Sequence, residues 1–159
     1  MQSCDMICNI NNLPAVDVPE GVALKRAFVG DKGAVLGFMR EHFSEGWACE
    51  AEKAILSPDV GKCFAAVRDG KLIGVACFDS TARGYFGPIG VLESERGTGV
   101  GKALLLRALH AMHEYGYGWA IIGWVDSAAT FYRKVVGAEF IPGGEPSKTV
   151  YQNMLRKFD

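Results

Sequence analysis

Residues 86–105 read Phe86-Gly-Pro-Ile-Gly-Val-Leu-Glu-Ser-Glu-Arg96-Gly97-Thr98-Gly99-Val100-Gly101-Lys102-Ala-Leu-Leu105. An apolar run broken by Gly87-Pro88 leads into a glycine-rich turn. A helix follows, in which Leu104, Leu105, Ala108, Leu109 and Met112 recur as one buried stripe. Strand, glycine turn and helix together can capture phosphate. The first N–H groups of a helix lack internal acceptors, and the helix dipole favours negative charge there. Gly97, Gly99 and Gly101 carry no Cβ, so a pyrophosphate can reach the main chain, and Arg96 and Lys102 add positive charge on either side.

Three other phosphate motifs fail by position. A Walker A loop needs Ser or Thr after Gly101-Lys102, where Ala103 stands, and its first glycine would fall on Arg96. A dinucleotide fingerprint begun at Gly97 would need glycine at Lys102, and one begun at Gly99 would need it at Leu104. The companion motifs of a protein-kinase loop are missing.

Working outward, residues 22–28 suit a first strand, and Asp31 can cap a helix carrying Val35, Leu36, Phe38, Met39 and Phe43. Residues 44–47 read as a turn and 48–56 as a second helix. Two apolar runs, 63–68 and 72–77, meet at Asp69-Gly70, a strong hairpin signal. Residues 85–92 form a strand in which Pro88 marks an edge, bulge or splay. The long helix stops at Gly116 and Gly118. Residues 119–124 then suit a strand buried on both faces. A helix over 128–136 and strands over 138–141 and 149–155 complete an α/β domain spanning 1–159, with 1–21 an irregular lead-in.

The 159 residues fit one core, and 49% of them are apolar. Lys plus Arg (17) nearly balances Asp plus Glu (18), so neither nucleic acid nor an anionic membrane is expected as partner. Five cysteines without a Cys-x-x-Cys pair argue against a disulfide scaffold or zinc ribbon, and Cys63 and Cys77 read as small buried hydrophobes. No run approaches the roughly 20 apolar residues of a membrane span, and residues 1–12 lack the pattern of a secretory signal, so the expectation is a cytoplasmic protein.

Arg96-x-x-Gly99-x-Gly101 resembles the Q/R-x-x-G-x-G/A signature of the GCN5-related N-acetyltransferase (GNAT) family, and residues 86–105 resemble that family's strand and helix throughout. Residues 127–140 are similar to its second cofactor motif, with Ala128, Tyr132 four positions later, and Gly137 before the next strand. The chain departs at Val125, where the family commonly has a polar residue. The resemblance implies a GNAT fold, a mixed sheet of about six to seven strands flanked by about four helices. It further implies acetyl transfer from acetyl-CoA, without a metal, to a primary amine of a small molecule or peptide by direct attack. In that reading residues Gly97, Thr98, Gly99, Val100, Gly101 and Lys102, with Arg96, hold the pyrophosphate. Ile89, Gly90 and Val91 face the pantetheine arm, and Ala128 and Phe131 join the cofactor site. Tyr132 is the candidate general acid; its alternative is a tyrosine packed on the sheet. Glu93 and Glu45 are candidate bases, with Asp79 behind them and a water chain as the alternative. Trp47 either borders the acceptor site or anchors its loop. His42, His110 and His113 are weaker base candidates still, and His110 and His113 ride the long helix with no carboxylate or cysteine spacing to suggest a metal. Edge strands of this fold can pair into a homodimer, and a non-catalytic acyl-CoA sensor is the rival function.

Overall fold

The computed structural model describes residues 2–155. Seven strands form one sheet: β1 (Cys4–Asn9), β2 (Val22–Arg26), β3 (Cys63–Arg68), β4 (Lys71–Phe78), β5 (Tyr85–Val91), β6 (Trp119–Val125) and β7 (Glu139–Phe140). Their spatial order is β2-β3-β4-β5-β6-β1-β7. All neighbours are antiparallel except β5 and β6, whose parallel pairing joins Tyr85 to Ile121 and Phe86 to Ile122. Parallel neighbours need a crossover. It is supplied by α3 (Val100–Glu114), while α1 (Lys32–His42), α2 (Glu45–Ile55) and α4 (Ala129–Val136) are the other α-helices.

The sheet separates two apolar layers. On one face Leu104, Leu105, Leu109 and Met112 of α3 pack with Met6, Phe64, Phe86 and Ile122. On the other, Val35, Leu36 and Met39 of α1 and Ala48, Ala51 and Ile55 of α2 pack on Cys63, Val75 and Cys77. Gly74 lets α3 lie close to β4, because a Cβ there would stand 2.7 Å from a Leu104 methyl. At the β3–β4 hairpin Asp69 and Gly70 both have positive φ (51° and 73°), as a tight two-residue turn requires.

Five expectations are corrected. The lead-in holds β1, which lies between β6 and β7; its short apolar run is hidden in the sequence by the Asn and Pro residues that follow it. The second helix starts at Glu45, not 48, because Ser44 caps it by accepting from the Trp47 N–H at 3.1 Å. β6 is not buried on both faces: Trp119 is 55% exposed, and Ile121 and Gly123, which share its face, are only half-buried. Residues 149–155 are not a strand. Pro146–Lys148 and Val150–Asn153 are 3₁₀ turns, and Tyr151 is drawn inward across the sheet, its ring edge-on to Trp124 at 4.9 Å. Asp31 acts one turn earlier than a helix cap would, accepting from the Phe28 N–H at 2.8 Å.

Candidate active site

Past Phe86 and Ile122, β5 and β6 no longer pair, and a gap opens between them toward the N-termini of α3 and α4. The register explains what lines it. The Leu92 N–H donates to the Ile73 oxygen at 2.9 Å, so Gly90 exchanges bonds with Val75 while the N–H and C=O of Ile89 and Val91 turn away from β4 toward the gap. Gly90 has its outer face covered by the Phe43 ring, which stacks on Trp47 at 5.1 Å. Trp47 therefore anchors the α1–α2 corner to β5.

At the end of β5 the chain makes a 3₁₀ turn, Glu93–Glu95, and enters the glycine turn. Its conformation is set from outside. Arg68 pairs with Glu95 at 3.1 Å and donates to the Glu20 oxygen at 3.1 Å, while the Thr98 hydroxyl caps the Glu95 oxygen at 2.6 Å. Gly97 and Gly99 have φ of 78° and 93°, a region costly for other residues. The first backbone bond beyond the turn is Ala103 N–H to the Gly99 oxygen, at 3.0 Å. Among the described residues, the N–H groups from Gly97 through Lys102 have no hydrogen-bond acceptor, and residues 96–99 and 102 are exposed. Six consecutive main-chain donors at a helix N-terminus, flanked by Arg96 and Lys102, fit a linked pair of phosphates.

Tyr132 of α4 stands edge-on to Phe86 at 6.3 Å and beside Phe131 at 5.2 Å, where the gap begins. Its ring is buried, and burial raises its hydroxyl above the ordinary range, so the phenol holds its proton at neutral pH. Phe131 also reaches within 3.8 Å of the position a Cβ on Gly101 would take, which joins α4 to the glycine turn. A shallow depression of about 350 Å³ at the start of α4 is lined by Asp126, Ser127, Ala129, Thr130 and Arg133; Ala128 begins this turn.

The carboxylates proposed as bases differ in their surroundings. Glu45 is exposed and held by Arg40 at 2.6 Å, which lowers its pKa. Glu93 is exposed on the 3₁₀ turn. Asp79 is fully used, bonded to Lys62 at 3.0 Å, the Tyr117 hydroxyl at 3.0 Å and the Gly84 N–H at 2.8 Å. His110 donates from Nε2 to the Pro14 oxygen, 2.7 Å away. Among the described residues no group of three or more His, Cys, Asp or Glu is placed to hold a metal ion, and no helix is long and apolar enough to cross a membrane. Cys63 and Cys77 are sealed in the core, and burial pushes the Cys8 thiol up to about 11.

Sequence reasoning missed the polar groups on the far side of the gap. Asp5 of β1 is 1% exposed and accepts from the Tyr85 hydroxyl at 2.8 Å and the Trp124 N–H at 2.9 Å. Glu50, Thr81 and Tyr151 stand near it. An acidic residue inside the apolar run of residues 4–8 was the available signal for Asp5; Glu50 and Tyr151 meet only in three dimensions.

A model of the acetyltransferase (GNAT) family matches residues 31–138. No curated protein matches the sequence. Among solved structures, a GCN5-related N-acetyltransferase from Sphaerobacter thermophilus superposes with a TM-score of 0.69 at 20% identity, over 88% of this chain and 48% of its own. The glucosamine N-acetyltransferase region of a fungal multi-domain β-N-acetylglucosaminidase gives 0.69 at 15% identity, over 89% of this chain and 20% of its own. A GNAT acetyltransferase from Brucella melitensis in complex with acetyl-CoA gives 0.55 at 14% identity, over 78% of this chain and 93% of its own. The chain thus spans from a fifth to about half the length of the first structures it resembles, and it shares their fold.

Proposed function

The chain belongs to the GNAT acetyltransferase family, and from that premise we propose that it transfers an acetyl group from acetyl-CoA to a primary amine by direct attack. The observation that carries this reading is the row of acceptor-free N–H groups from Gly97 to Lys102, opening beside a strand gap that ends at Tyr132.

In this reading the main chain of residues 97–102 holds the pyrophosphate, and Arg96 and Lys102 balance its charge. Ile89 and Val91 offer a strand edge along which an amide-bearing arm can add as a ladder partner. A main-chain N–H of that edge aimed at the thioester oxygen stabilises the charge that develops there by about 3 kcal/mol. Tyr132, kept protonated by burial, gives its proton to the departing sulfur. Glu45 and Glu93 sit too far into solvent, and Glu45 is too firmly paired with Arg40, to be the preferred proton acceptor.

Free thiol release from acetyl-CoA, followed over a pooled set of primary amines, tests the assignment. Amine-dependent release is the expected result. Tight binding of acetyl-CoA with no release for any amine would instead favour an acyl-CoA sensor.

A further inference from the structure

Successive residues of a strand face opposite sides of a sheet. At the mouth of the gap Phe86 turns its ring to Tyr132, while Tyr85 lies on the other side with its hydroxyl on Asp5. There the Tyr151 ring stands edge-on to Tyr85 at 6.4 Å, and its hydroxyl occupies the space that a side chain on Gly123 would need. Gly123 is the first residue of β6 beyond the last pair with β5. Glu50, from the middle of α2, reaches the same place. The Thr81 hydroxyl donates to its Oε1 at 2.7 Å, and Asp5 and Glu50 both act on the Tyr151 hydroxyl, which burial first of all pushes up.

The two carboxylates are not equivalent. Asp5 is satisfied by two donors, the Tyr85 hydroxyl and the Trp124 N–H. Glu50 has Thr81 alone and, among the described residues, no ion-pair partner. Lys53, its nearest cation, gives its ammonium to the Ser80 oxygen at 2.9 Å, and Lys62 is bound to Asp79. The Cys77 thiol on β4 and the Tyr151 phenol, both raised, add no positive charge. A part-buried carboxylate with one hydrogen-bond donor, whose neighbouring lysine is turned to the Ser80 oxygen, has room for a further cation, and tyrosine and tryptophan faces nearby suit one. Lys53 acts on Glu50 from its seat on the Ser80 oxygen, so a substrate carboxylate here would face two carboxylates, Glu50 and Asp5, against one engaged ammonium.

We propose that the free oxygen of Glu50 receives the ammonium of the acceptor and takes its proton, and that the acceptor is therefore a primary amine with no carboxylate beside its nitrogen. This rests on the transferase reading. One proton passes from the ammonium to Glu50, and the freed lone pair forms the C–N bond. The C–S bond breaks with its electron pair leaving on sulfur, and Tyr132 protonates the thiolate. The second nitrogen proton returns through water to the tyrosine.

Matched pairs test the idea: 2-phenylethylamine against phenylalanine, and pentylamine against 2-aminohexanoate, with thiol release from acetyl-CoA as the readout. The amines are expected to exceed their carboxylated partners at least about tenfold in kcat/KM. Glu50→Gln should lower kcat/KM for the amines by at least about tenfold while acetyl-CoA affinity by calorimetry stays unchanged, which also reports an intact fold. Glu50→Asp should restore part of the loss. Equal use of the amino acids, or an undiminished Glu50→Gln enzyme, overturns the proposal and leaves the transferase standing. Absence of thiol release with any amine, spermidine and a lysine peptide included, removes both.

Discussion

Tyr132 combines two properties that pull against each other in an ordinary core residue: a ring packed among Phe86 and Phe131, and a hydroxyl with no hydrogen-bond partner among the described residues. A purely structural tyrosine would be expected to satisfy its hydroxyl. Tyr132→Phe removes only that oxygen, so kcat should fall by about 10²–10⁴ with acetyl-CoA affinity little changed, as steady-state kinetics and titration would show. An unaltered kcat, where chemistry limits turnover, would make the residue a packing element. The phenol was legible in the sequence because it stands four residues after Ala128 in a recognisable motif. Glu50 was not, since its meaning comes from Thr81, 31 residues away in sequence.

At the scale of elements, the phosphate turn is held open by its surroundings. The Arg68–Glu95 pair fixes its approach, and Pro19 lies 3.4 Å from where a Cβ on Gly99 would be. Gly99→Leu meets two obstacles at once, a φ of 93° that leucine tolerates poorly and a side chain projecting toward Pro19 at the entry to the N–H row. CoA affinity should drop at least about tenfold by calorimetry, and unchanged affinity would remove the pyrophosphate from this turn. This element was almost wholly legible: glycines, flanking strand and helix stripe stand in one stretch. The last strand was misread because β-propensity over residues 149–155 lost to the inward burial of Tyr151, whose partners Trp124 and Tyr85 lie far away in the chain.

On the scale of the whole molecule, β1 ties the two ends together. It inserts between β6 and β7, and its Asp5 braces the mouth of the gap by holding Tyr85 of β5 and Trp124 of β6, the latter at a φ of 53°. Asp5→Ala takes the acceptor from the buried Tyr85 hydroxyl, at a cost of about 1–3 kcal/mol, so a clear fall in stability is expected from chemical unfolding. A variant as stable as the parent would show that the gap needs no such brace. The α/β class followed from the pattern of apolar runs, whereas β1, and with it the order of strands in the sheet, escaped because a six-residue strand has little periodicity to show.

Capture of linked phosphates by the amides of residues 97–102 is the claim on which the function depends. The most direct test titrates the protein in a calorimeter with CoA and, separately, with pantetheine, which lacks the pyrophosphate and nucleotide. Saturable one-to-one binding of CoA, at least about tenfold tighter than pantetheine, is the predicted result. Equal affinities, or no heat with CoA at millimolar concentration, would contradict it.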